Sequence, residues 1–208
     1  MNLPGGPGKL PLAIRNPSLA CMALSAIVGF VSLSELLGLV QVSEPSRSPI
    51  QVPGSLGSEA LQKGYEAHLT ALESMRVPRV LILSSLGLVC ALNFVSASRV
   101  LWPRGLRRES MRRVVVSSSV AAAVLRTLDG AQLAVVWRKV GAAWGRSASV
   151  IPSLSSLTPA ELEASARAWG VAIAVAQTAA VVGAYAALSQ YFRRQKVKQL
   201  LAAMDNVP

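Results

Sequence analysis

Apolar residues in this chain fall in four long blocks divided by polar and basic stretches. Block length, more than fine periodicity, decides what they are. About 20 apolar residues carry a helix across the hydrocarbon core of a bilayer. Residues 19–42 (LACMALSAIVGFVSLSELLGLVQV), 80–102, 114–137 and 168–192 each reach that length. The pattern predicts an all-α integral membrane protein folded as an antiparallel four-helix bundle. The first block starts just after Pro17. It exceeds the 7–15 apolar residues usual in a secretory signal and no small-x-small cleavage site follows it, so it reads as a retained anchor.

The segments between the blocks predict two further features. The loop 43–79 opens with SEPSRSPIQVPGSLG, too rich in Pro, Ser and Gly for regular structure. Ser58 then reads as an N-cap for a helix over 59–76. Leu61, Tyr65, His68, Leu72 and Met75 recur on one side of it, with Glu59, Gln62, Lys63, Glu66 and Glu73 on the other. That is an amphipathic helix between spans 1 and 2, stopping near Val77 because Pro78 disfavours helix before it. In the loop 138–167, Thr158, Pro159 and Glu161 form a capping box. The fourth helix is therefore expected to begin about two turns before its span, and to run past Phe192 as one long helix.

Charge fixes the expected orientation. The chain has 208 residues, a formal net charge of +11 and only 15% charged residues, with mean hydropathy +0.45. About 25% charged residues is ordinary for a soluble domain. The short loop 103–113 holds Arg104, Arg107, Arg108, Arg112 and Arg113. The tail 193–208 adds Arg193, Arg194, Lys196 and Lys198, and the N-terminal segment 1–18 adds Lys9 and Arg15. Four spans put all of these on one side, which the positive-inside rule makes cytoplasmic. Both termini are expected in the cytoplasm of a plasma or inner membrane, with the helix 59–76 outside. The partners expected are the lipid bilayer, with anionic lipids at the basic face, and either a second copy or another membrane protein. Nucleic acid is not expected, because no aromatic residues interleave the cations to stack bases.

Within the spans, small residues and a few costly ones stand out. Ala172, Ala176, Ala180 and Ala184 form a four-residue ridge suited to close helix packing. Ser25 with Gly29, Ser34 with Gly38 and Gly87 with Ala91 repeat the pattern. Arg126 and Asp129, three apart, share a helix face and can pair. Counting along the spans puts Glu35 and Gln177 at a depth close to Asp129, with Asn93 slightly inward. A central Arg or Asp costs about 2.5–3.5 kcal/mol to insert, so Glu35, Arg126, Asp129 and Gln177 are expected to meet inside the bundle. Fully ionised, that group carries one negative charge in excess, which makes Glu35 the carboxyl expected to hold a proton.

An intramembrane cluster of this kind serves either to fix helix packing or to form a path for an ion, proton or small solute. The first reading makes the chain a non-enzymatic subunit or scaffold, the second a small pathway protein; signal transmission between loop and tail is a lesser reading. Catalysis is not expected, because no nucleophile–base pair, HExxH or GxSxG is present. No cofactor or metal is expected either: His68 is the single histidine, and Cys21 and Cys90 form no CxxC.

Overall fold

The computed structural model describes residues 10–41, 58–103, 105–148 and 158–205. Lys9, Arg104 and the loop segments 43–57 and 149–157 lie outside the described residues. Six helices follow in order: α1 (Leu12–Gln41), α2 (Ser58–Ser74), α3 (Arg76–Leu101), α4 (Arg108–Ala148), α5 (Pro159–Arg193) and α6 (Gln195–Asp205). The helices α1, α3, α4 and α5 are long and apolar enough to cross a membrane. Their outward surfaces carry Ile27, Phe30, Leu81, Leu88, Val124 and Val175, all exposed. Apolar surface on this scale is unfavourable in water and costs nothing against lipid tails.

Four helix boundaries differ from the sequence expectation, each for a local reason. Helix α1 begins at Leu12 and runs through Pro17. A proline lacks the N–H that would bond the carbonyl four residues back. Here that carbonyl, Ala13 O, accepts a 2.5 Å hydrogen bond from the Tyr191 hydroxyl, so the helix survives the gap. Pro78 does not follow a helix end but sits in the first turn of α3, where an N–H has no intrahelical partner to lose. Met75 N–H instead closes α2 on Leu72 O at 3.1 Å, and Met75 O accepts from Arg79 N–H at 3.0 Å.

Helix α4 continues beyond Trp137 to Ala148, through what the charge pattern marks as loop. Gly141 and Gly145 explain it. A Cβ on Gly141 would lie 2.7 Å from Ala166 O, and one on Gly145 2.5 Å from Glu163 Cα. Only a bare backbone lets α4 and α5 meet this closely. The start of α5 is as expected: the Thr158 N–H and hydroxyl each donate to the Glu161 carboxylate at 2.8 Å, and Glu161 N–H donates back to Thr158 Oγ1 at 3.3 Å. Its end is not. The chain breaks at Arg194, and α6 is a separate amphipathic helix with Val197 and Leu201 buried.

The chain divides into two compact units, and the division passes through α1, α3, α4 and α5. The first takes in residues 1–33, 84–125 and 181–208. Its core joins Ile14, Cys21, Val100, Val115, Phe192 and Leu201, with a second cluster of Val28, Leu86, Cys90, Ala122 and Tyr185. Asn93, fully buried, ties three helices: its Oδ1 accepts from Ser118 Oγ at 3.0 Å and Cys21 Sγ at 3.4 Å, and its Nδ2 donates to Ser119 Oγ at 3.2 Å. The second unit takes in residues 34–83 and 126–180. Leu39, Ala71, Leu83, Val136, Ala142, Leu162 and Ala174 are its buried apolar residues.

Candidate functional site

The second unit holds the charged residues of greatest cost. Asp129 is fully buried, Arg79 is 2% exposed and Arg126 is 8% exposed. Helical spacing brings Arg126 Nη1 onto Asp129 Oδ2, as the sequence predicts. Glu35 joins them, but through a residue the sequence reading placed in the loop outside the membrane. Arg79 Nη2 donates to Glu35 Oε2 at 2.6 Å and lies 3.4 Å from Asp129 Oδ1. The last contact is electrostatic: Asp129 Oδ1 makes no hydrogen bond among the described residues.

Arg79 changes the charge count. With Glu35, Arg79, Arg126 and Asp129 the count is two basic to two acidic side chains. The sequence signal for Arg79 was its place one turn into a helix. Pro78 suggested the end of the preceding helix, yet in the first turn a proline begins a helix more readily than it ends one.

Gln177 is not part of the cluster; it is exposed on α5. On that helix Ala174 and Thr178 turn inward, and Thr178 Oγ1 donates to Ala174 O at 2.8 Å. The ridge residues Ala172, Ala176 and Ala180 face outward, and Ala184 is half-buried. The first three ridge positions therefore take no part in the packing among the described residues. Close packing against α5 falls instead to the glycines of α4.

The cluster opens on one side. A cavity of about 340 Å³ is lined by Glu35, Arg79, Tyr65 and His68, with Leu39, Leu69, Leu72, Leu133 and Gly38 as apolar wall. The Glu35 side chain is one-third exposed, whereas that of Arg126 is 10% exposed and lies off the cavity lining. Arg79 Nε and Nη1 are buried and have no hydrogen-bond partner among the described residues. His68 is half-buried, its ring 6.4 Å from that of Trp137. Burial, and then the nearby Arg79 guanidinium, hold its pKa below the ordinary value.

Of the predicted basic residues, Arg107, Arg113, Arg193, Arg194, Lys196 and Lys198 are exposed on the first unit. Arg108 and Arg112 are engaged: Arg108 Nε donates to Val100 O at 3.2 Å, and Arg112 donates to Glu109 and to Phe192 O at 2.7 Å. Asp205 was missed by sequence reasoning. Its carboxylate accepts from Arg108 N–H and Glu109 N–H at 3.0 Å each, so the end of α6 caps the start of α4. Among the described residues no group of three or more His, Cys, Asp or Glu side chains stands together to hold a metal ion. No family model, curated protein or solved structure matches this chain.

Proposed function

We propose that this is a small non-enzymatic membrane protein, an antiparallel bundle of four spans with cytoplasmic termini, which packs with a second copy or with another membrane protein. One observation carries the reading: the outward face of α5. Ala172, Ala176 and Ala180 present a small-residue ridge where only 11% of the span is buried. Small residues give a lipid little to hold and another helix a close seat. The charge-balanced cluster supports the same reading, since Glu35, Arg79 and Asp129 tie α1, α3 and α4 in one register. Aromatic residues support the membrane placement: exposed Trp102, Trp137 and Trp169 each stand at the end of a proposed span. Helix α2 then lies on the outer side. The plasma or inner membrane is the location proposed.

Oligomer size in detergent tests it. Ala176→Leu and Ala180→Leu should leave the bundle's thermal stability unchanged and release the partner, because both side chains point away from the bundle. A monomeric parent with no membrane partner would end this reading.

The cavity favours a second reading, a path for a small solute or ion ending at Glu35 and Arg79. Its test is flux into proteoliposomes, which Glu35→Gln should abolish.

A further inference from the structure

We propose that the cavity beside α2 binds an uncharged amphiphile whose head group accepts hydrogen bonds from the Arg79 guanidinium. Three observations select that class. The first is charge. The cluster under the cavity holds two arginines and two carboxylates, so a charged head would add a fifth charge with no counter-charge beside it. The second is hydrogen bonding. Arg79 is donor-only, it is 2% exposed, and its Nε and Nη1 have no partner among the described residues. Buried donors of this kind are as a rule satisfied; Arg79 lines the cavity, and a carbonyl or hydroxyl oxygen entering beside it would give the guanidinium the partner that the described residues do not. The third is the wall. Leu39, Leu69, Leu72 and Leu133 form an apolar wall opposite the polar lining of Glu35, Tyr65, His68 and Arg79, and a volume of about 340 Å³ falls at the lower end of the range for small-molecule sites.

Gly38 adds an argument of its own. It sits within α1, where glycine weakens a helix. No neighbour demands it: a Cβ there would meet nothing within 4 Å. What a side chain would occupy is the cavity that Gly38 lines. A glycine in that place keeps the cavity open.

The inference rests on the membrane reading for the route by which such a molecule arrives. The test uses the full chain in bilayer nanodiscs at neutral pH. The probes are three photoreactive decyl chains ending in a hydroxyl, a carboxylate and a trimethylammonium group. The hydroxyl probe should label the cavity leucines saturably, be displaced by 1-decanol, and exceed both charged probes by at least about tenfold. Gly38→Leu should abolish that labelling while keeping thermal stability at or above that of the parent. Labelling that never saturates, that persists in Gly38→Leu, or that favours a charged probe overturns the proposal. So does a folded protein with no cavity labelling, whose Arg79 is then served by water alone. Cysteine accessibility measured on the same nanodiscs separates the two failures: a wrong topology sinks the membrane reading, and a right topology without labelling sinks the site.

Discussion

At the scale of single residues, the cluster works because each charge has a counter-charge within reach. Removing one side of a buried pair leaves the other uncompensated, at a cost of about 3–5 kcal/mol. Arg79→Met should fall in that range, because it strips Glu35 of its partner and Asp129 of one of two. Adding Glu35→Met restores the balance to one cation and one anion, so the double variant should be more stable than Arg79→Met alone. Thermal unfolding of parent, both single variants and the double variant checks this, and a double variant weaker than Arg79→Met would contradict the pairing. His68 gives a prediction in pH. Its pKa is lowered in the folded protein, so the unfolded chain takes up its proton first as the solution is acidified. The associated stability is complete above the ordinary value of about 6.5, and is lost as pH falls from there through the folded pKa. Around the cavity His68 faces Arg79, Glu35 and Tyr65, and carboxylates titrate in part of the same range. The measurement is therefore the difference between parent and His68→Gln: the parent should lose more of its melting temperature between pH 8 and pH 5.

At the scale of helices, two contacts decide boundaries that pattern alone misplaces. Asp205 receives two backbone N–H groups of α4, and loss of such a cap costs about 0.5–2 kcal/mol. Asp205→Ala should loosen α6, and trypsin should then cut faster at Lys196 and Lys198; an unchanged digestion rate would mean that Val197 and Leu201 hold α6 unaided. Gly145→Val should cost about 1–3 kcal/mol, as overpacking does, because its Cβ would lie 2.5 Å from Glu163 Cα. Chemical denaturation in mixed micelles gives the value. These two contacts also show where sequence reading stops. The apolar blocks, the capping box at Thr158 and the Arg126–Asp129 pair were legible because each is set by neighbours in sequence. The extension of α4 to Ala148, the capping by Asp205 and the entry of Arg79 into the cluster depend on contacts with distant parts of the chain. Gly141 and Gly145 do carry a small-xxx-small signal, but it sits past the apolar block, where length gives no hint of helix. Exposure of Gln177 and the alanine ridge was beyond reach for a related reason. An almost uniformly apolar helix carries little information about which face turns inward.

At the scale of the molecule, the distribution of unpaired charge predicts how the chain is threaded. In the first unit the described acids are Glu109 and Asp205. Glu109 is held by Arg112 and Arg113, and Asp205 is spent on the α4 cap. Arg107, Arg193, Arg194, Lys196 and Lys198 are therefore left as exposed positive charge near span ends, the arrangement that holds a loop in the cytoplasm. At 1.5 Å per residue the 41 residues of α4 extend about 60 Å, roughly twice the hydrocarbon thickness. One end of α4 must project well beyond the core. On the proposed threading the Arg108 end of α4 lies at the cytoplasmic surface, and the projecting end is then the Trp144 end. Single cysteines report this directly, and the native pair does not interfere because Cys21 and Cys90 are both buried. A cysteine at Ser46 or Ser153 should react with an impermeant maleimide on intact cells, and one at Ser110, exposed at the start of α4, only after permeabilisation. Reaction at Ser110 alone on intact cells would invert the threading while leaving the spans in place. Reaction at all three would mean that the apolar faces of these helices are covered by something other than a bilayer.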